Sequence, residues 1–212
     1  MATPLDITTL RNALVRLEPL ATHHVEGLVL AANEDRSNYG FTSVPQSRTD
    51  VQHYVDDLLR RHASGETAAF AQVDETTQRV LGVTRYLTFR AQAEEPPYAV
   101  EIGGTWLAAS AQRTRINSAA KLLLFTHAFD QWRVVRVDLK TDARNARSRT
   151  AIERLGCTFE GVLRNWQPSQ VPGEELLYRD SAMYSVVRSQ WPALRAQLET
   201  SLHDSASSVA VD

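Results

Sequence analysis

The stretch "SAAKLLLFTHAFDQW", Ser118–Trp132, sets the strongest constraint on the fold. It reads as a helix that is apolar on most faces, so it has no broad side to offer water and must be packed deep against a sheet. The sequence supplies the strands. "NALVRLEPL" alternates with a period of two. "TAAFAQVDETTQRVLGVTRYLTFRA" reads as a hairpin with a polar turn at Asp74–Gln78. "YAVEIGGTWLA" is the strand before the apolar helix and "VVRVDLKTD" the strand after it. "TFEGVLRNW" and "LYRDSAMYSVV" are two last strands around a turn at Pro172–Gly173.

The other helices follow from spacing and punctuation. "ATHHVEGLVLAAN" repeats Val25, Leu28 and Leu30–Ala31 on one side. "RTDVQHYVDDLLRRHASG" is capped by Ser47 or Thr49 and ended by Gly65. "ARSRTAIERLG" ends at Gly156, and "WPALRAQLETSL" is a short last helix. No internal repeat or long linker divides the chain. The expectation is one α+β domain over residues 1–200, with about seven strands and four or five helices, and a disordered tail over residues 201–212.

Composition narrows the function classes. A hydrophobic fraction of 43% is ample for a core, and a net charge of −2 gives no basic excess for a nucleic-acid groove. No apolar run approaches the roughly twenty residues of a membrane span. The start "MATPLDITTLRNALVRLEPL" lacks the basic and apolar segments of a secretory leader. The single cysteine, Cys157, excludes an internal disulfide framework and a thiolate zinc cluster, and it reads as a buried, inert thiol. His23–His24 lack a third ligand at metal spacing, so no metal is expected. His127 reads as a packed core histidine. A cytoplasmic protein, monomeric or homodimeric, with no nucleic-acid or membrane partner, is the expectation.

The chemistry concentrates just before the apolar helix. "AQRTRINS" crowds Gln112, Arg113, Thr114, Arg115, Asn117 and Ser118 into the few residues before the apolar helix starts. A helix N-terminus offers unpaired N–H groups and the positive end of the dipole, and phosphates bind there. Two arginines add charge at the same mouth. The same residues also suit an ordinary capped helix with solvated arginines, and the segment by itself leaves both readings open.

Taken together, "EIGGTWL", "QRTRIN…K", "DLKTDARNARS" and "AIERLGCTFEG" resemble the GNAT superfamily of acetyl-CoA-dependent N-acetyltransferases, in the branch that includes the ribosomal-protein alanine acetyltransferases. The resemblance is strong over roughly residues 100–190, and "YRDSAMYSVV" also fits it. It implies a mixed, mostly antiparallel twisted sheet splayed between the fourth and fifth strands. Acetyl-CoA, the acetyl donor, would lie in the opening, its pyrophosphate on the loop Gln112–Asn117. In one respect the chain departs from the family. The usual loop reads Gln-Gly-x-Gly, and here Arg113 and Arg115 stand where the glycines would be. Glycine lets backbone approach a phosphate, whereas arginine offers charge-assisted hydrogen bonds instead.

The resemblance also implies roles for other residues. Asn145 would cross-link the splayed backbone or bond the pantetheine, and Ser148 would stand near the cofactor sulfur and donate to the departing thiolate. Read without the family, Asn145 terminates a strand and Ser148 is a helix cap. Glu101 is the candidate base, since an amine is mostly protonated at neutral pH and acetyl transfer needs a proton acceptor; the plain alternative is an ion-paired strand glutamate. Backbone N–H groups around Trp106, Leu107 and Ala108 would polarise the thioester carbonyl. Tyr39 and Trp166 are candidates for lining the acceptor cleft. The expected activity is acetyl transfer to a primary amine, of a protein N-terminus or of a small amine or peptide-like metabolite. The competing reading is a non-catalytic acyl-CoA-binding sensor or interaction module, which the missing loop glycines favour.

Overall fold

In the computed structural model, which describes residues 7–92 and 96–207, the strands are β1 Leu10–Arg11, β2 Val15–Pro19, β3 Thr67–Asp74, β4 Val80–Arg90, β5 Ala99–Leu107, β6 Arg136–Asp142, β7 Thr158–Pro168 and β8 Tyr178–Val187. They form one eight-stranded sheet in the order β1-β2-β3-β4-β5-β6-β8-β7. The helices are α1 Val25–Asn33, α2 Arg48–Ala63, α3 Ile116–Thr126, α4 Ala146–Arg154 and α5 Trp191–Ser207. Every neighbouring pair runs antiparallel except β5 and β6, which the α3 crossover makes parallel. The extra strand relative to expectation is β1, two residues long. The fourth and fifth strands of the sequence reading are β5 and β6.

Two cores flank the sheet. On one side α3, α4 and α5 pack over Val100, Ile102, Val137, Leu139, Tyr184 and Val186, with Leu124 and Phe125 of α3 fully buried. The apolar helix is therefore inside, as its composition demands. Its last turn widens into a five-residue π-type turn, His127–Gln131. There His127 meets the Trp132 ring edge-on at 4.7 Å between centroids, and burial lowers the pKa of its imidazole. On the other side α1 and α2 pack over Ala69, Ala71, Val83 and Trp106. β3 is buried along nearly all its length, Thr67 and Gln72 included.

Three local readings changed. In α1 the buried positions are Val25, Leu28, Ala31 and Ala32, and Leu30 is 71% exposed. The chain enters α1 through a 3₁₀ turn over Thr22–His24, so Leu30 falls on the water side. Second, α5 continues to Ser207, past the expected end of order at residue 200; residues 208–212 lie outside the described residues. Third, His23 and His24 do acquire a neighbour of ligand type, Glu18. The His24 Nδ1 accepts the Ala21 N–H, so its Nε2–H donates to Glu18 at 3.0 Å. Arg16 holds the same carboxylate at 2.6 Å, and this hydrogen-bonded chain accounts for the cluster.

Candidate active site

Parallel pairing between β5 and β6 lasts three rungs, Ala99↔Arg136, Val100↔Val137 and Glu101↔Asp138. Beyond Glu101 the strands part. The cause lies in β5, where the register against β4 slips between Val83 and Arg85, across Gly103–Trp106. Gly104 there has φ +56°, and a Cβ on it would stand 2.3 Å from Arg85 Nε. Only glycine fits both the backbone and the neighbour. A bulge adds local twist, and it turns the end of β5 away from β6. This bulge precedes Trp106–Ala108, where the sequence reading placed the polarising amides. Of those three residues, Ala108 has its N–H occupied by Leu81 O at 2.7 Å. The Leu107 carbonyl accepts from Tyr39 Oη at 2.9 Å and from Gln112 Nε2 at 2.8 Å.

The loop after β5 leads into α3. Thr114 Oγ1 accepts the Ile116 N–H and donates to Ala111 O, closing the turn. Arg115 at the N-cap of α3 makes no side-chain cap, and among the described residues the N–H groups of Arg115, Asn117 and Ser118 have no acceptor. That is an anion cradle at the positive end of a buried helix. Arg113 sits in the left-handed region at φ +61°, the conformation that a glycine there would adopt freely. Its side chain is exposed at the mouth. Arg115 is anchored, donating to Leu202 O of α5 at 3.0 Å. Gln112 Oε1 accepts from Arg147 of α4 at 2.7 Å, which fastens the loop to the far side of the opening.

On that far side Asn145 caps α4, its Oδ1 accepting the Ser148 N–H at 3.0 Å. Ser148 is thus the third residue of the helix and not the cap, and its hydroxyl makes no hydrogen bond among the described residues. Tyr39 is buried against Trp106, rings edge-on at 6.3 Å, with its hydroxyl pushed up to about 12 by burial. It anchors the α1–α2 loop beside the opening. Trp166 is 52% exposed on β7, and no ring contact joins the two.

Strand neighbours in register point to one side of a sheet, so Glu101, Asp138, Lys140, Asp142, Ser181 and Ser185 share the α1–α2 face. Glu101 is 5% exposed. Its Oε2 accepts from Lys140 Nζ at 2.7 Å and from Thr88 Oγ1 at 3.1 Å. Its Oε1 carries no hydrogen bond among the described residues and looks toward Gly103, where a Cβ would lie 3.0 Å away. The carboxylate is held by one oxygen and offered by the other. The same face carries Asp138, paired to Arg90 and Arg136, and Asp142, paired to Arg144 at 2.8 Å.

Lys121 closes the "QRTRIN…K" motif, and the sequence reading gave it no role. It lies on the buried side of α3, 4% exposed, with Nζ 2.7 Å from Thr105 Oγ1 and 3.0 Å from Thr84 Oγ1. It ties α3 to the bulge. Burial drives its pKa down to about 7, partly countered by Cys157, whose own thiol is pushed up to about 12 by burial. An unfolded lysine titrates near about 10.4, so the unfolded chain binds this proton more tightly. The destabilisation is then complete below about pH 7 and is relieved as the pH rises toward about 10. Lys121→Met is expected to be more stable than wild type at about pH 6. It becomes less stable near pH 10, where only the two lost hydrogen bonds, at about 1 kcal/mol each, remain. Denaturant unfolding at both pH values checks this; a difference that does not change with pH overturns it.

The family model for the acetyltransferase (GNAT) domain matches residues 15–158. No protein of curated function is a significant sequence match to the chain. Among solved structures, a GCN5-related N-acetyltransferase from Brucella melitensis superposes with a TM-score of 0.79 at 27% identity, covering 93% of this chain and 86% of that one. A protein from T. thermophilus, named for an acetyltransferase, superposes at 0.76 with 30% identity, over 93% of this chain and 98% of that one. Mycobacterium smegmatis RimJ, in complex with a CoA disulfide, shares the fold at 0.75 and 18% identity, over 92% and 93%.

Proposed function

The chain belongs to the GNAT acetyltransferase family, and on that premise we propose that its acceptor is a primary amine, on a protein N-terminus or on a small amine or peptide-like metabolite. Acetyl-CoA is the acetyl donor, as throughout the family. The observation that carries the amine reading is the free Oε1 of buried Glu101 at the point where β5 and β6 part. An ammonium must lose a proton before it can attack a carbonyl, and an unengaged carboxylate oxygen is a group that can receive it, which supports this reading. Lys140 and Thr88 fix the other oxygen, which sets the direction of the free one.

The free amides at the start of α3 suit a pyrophosphate, and Arg113 adds charge at its exposed side. Acetyl-CoA supplies the acetyl group as a thioester. Ser148, with an unengaged hydroxyl at the start of α4, is proposed to donate to the sulfur as it leaves. Asn145 holds that helix start in place.

Thiol release from acetyl-CoA over a panel of primary amines tests the reading. Acetyl-CoA binding without release on any amine supports the non-catalytic module instead. Ser148→Ala is expected to lower turnover by about tenfold to a hundredfold while the Kd for acetyl-CoA changes little. Because Asn145 supplies the cap, thermal stability should change by less than about 0.5 kcal/mol. Turnover that survives intact removes Ser148 from the chemistry.

A further inference from the structure

β8 places two polar side chains of one face, Arg179 and Ser181, on the Glu101 side of the sheet. Arg179 is 8% exposed and Ser181 is fully buried. Neither makes a side-chain hydrogen bond: the Arg179 Nε and the Ser181 Oγ are both buried without a partner among the described residues. A buried guanidinium is ordinarily paired, because leaving one unpaired in a protein interior is strongly destabilising. Its natural partners here already have other cations. Asp142 accepts from both arms of Arg144, Nε at 3.0 Å and Nη2 at 2.8 Å, and Glu101 accepts from Lys140. Both carboxylates lie close enough to favour the charged form of Arg179, though burial and Arg144 work against it. Burial lowers the pKa of the guanidinium, countered by Asp142 and Glu101, and its Nε is left buried without a partner among the described residues.

The neighbouring loops converge beside these two side chains. Arg144 crosses to Glu174 of the β7–β8 loop at 2.8 Å and lies over the Phe41 ring of the α1–α2 loop at 5.5 Å. Two loops and the β6–α4 turn therefore meet beside the Glu101 face. A planar guanidinium with free donors matches a carboxylate in two parallel hydrogen bonds, and a serine hydroxyl two residues along the same face adds a third donor.

We infer that Arg179 and Ser181 form an oxyanion subsite beside Glu101, so that the acceptor is an amine that also carries a carboxylate. This rests on the amine-acceptor reading above and narrows it. The carboxylate belongs either to a free amino acid or to an acidic side chain near a peptide N-terminus. Both present the same chemistry to Arg179.

Initial-rate assays with acetyl-CoA test the inference on matched pairs. One arm compares common α-amino acids with their α-amides. The other compares C-terminally amidated peptides whose second residue is Glu or Gln. In the arm that matches the source, kcat/KM for the carboxylate member is expected to exceed its neutral partner by about a hundredfold or more, since a site built for hydrogen bonds rejects the analogue lacking them. In Arg179→Met the ratio falls to within about fivefold of one, through KM, and Arg179→Lys restores part of it. Acetylation of amines in both arms with no preference overturns the inference and leaves amine transfer standing.

If no amine is acetylated, the amine reading fails, and the subsite is judged by a measurement that needs no turnover. The Arg179 Nε–H resonance, assigned with Arg179→Lys, is followed by NMR during titration with N-acetylglycine and N-acetylglycinamide in the presence of CoA. A shift with the carboxylate and none with the amide supports the subsite. No response to the carboxylate overturns it.

Discussion

Glu101→Gln is expected to lower acetyl transfer at neutral pH by about a hundredfold or more, the usual worth of a positioned general base. The substitution keeps the shape and replaces the free Oε1 and its charge. The deficit shrinks as pH rises, because more of the amine arrives without its proton. Stability needs separate attention, because Lys140 Nζ lies 2.7 Å from this carboxylate, with Glu101 buried and the Lys140 side chain 13% exposed. Removing one member of a buried ion pair destabilises by about 3–5 kcal/mol. The double variant Glu101→Gln/Lys140→Met removes the stranded ammonium and is expected to recover stability without recovering rate. pH–rate profiles at saturating acetyl-CoA, beside thermal unfolding of the same preparations, check both. Profiles parallel to wild type assign the proton to water or to another group. A rate that recovers together with stability in the double variant reduces Glu101 to an ion-pair residue.

Reversing charge at the cofactor mouth is the second large effect. Arg113→Glu/Arg115→Glu is expected to weaken acetyl-CoA binding by at least about 2 kcal/mol, roughly thirtyfold in Kd, from lost charge-assisted bonds and phosphate repulsion. The two arginines should not contribute alike. Arg115 is tied to Leu202 O, so its replacement also loosens α5 and shows in thermal stability. Arg113 is exposed with a left-handed backbone, so Arg113→Glu isolates the electrostatic part. Arg113→Gly separates strain from charge: it relieves a backbone cost of about 1 kcal/mol while removing the cation. Calorimetric titration of the four variants checks the scheme. Unchanged affinity in the folded double variant removes this loop from the phosphate site.

The elements that read clearly in the sequence were those whose patterns reflect only their own neighbours. The cap of α2, read as Ser47 or Thr49 and taken by Ser47, the turn at Asp74–Gln78 and the cover required by "AAKLLLF" are all local or compositional. The opening was legible only through family resemblance. Its cause, a register slip across Gly103–Trp106 against Arg85, depends on how β4 lies beside β5. Ser148 illustrates the same limit from the other side. Both Asn145 and Ser148 are good cap residues, and only the geometry assigns the cap to Asn145. Lys121 and Arg179 fall inside quoted motifs, and their roles were unreadable for a plainer reason. A charged residue announces nothing in a sequence unless its burial is known, and burial here is set by strands and helices distant along the chain.

The three-rung junction of β5 and β6 has a mechanical consequence. The sheet is in effect two leaves on a short hinge, β1 to β5 on one and β6 to β8 on the other, with α3 as the tether. A long ligand lying in the gap stands in for the rungs that the strands do not make. In the proposed binding mode it would touch the β5–α3 loop on one leaf and the start of α4 on the other. The donor would then be a structural member as well as a reactant, and the thiol product left after transfer would brace the leaves just as well. What the protein would give up when that product departs is part of its own rigidity.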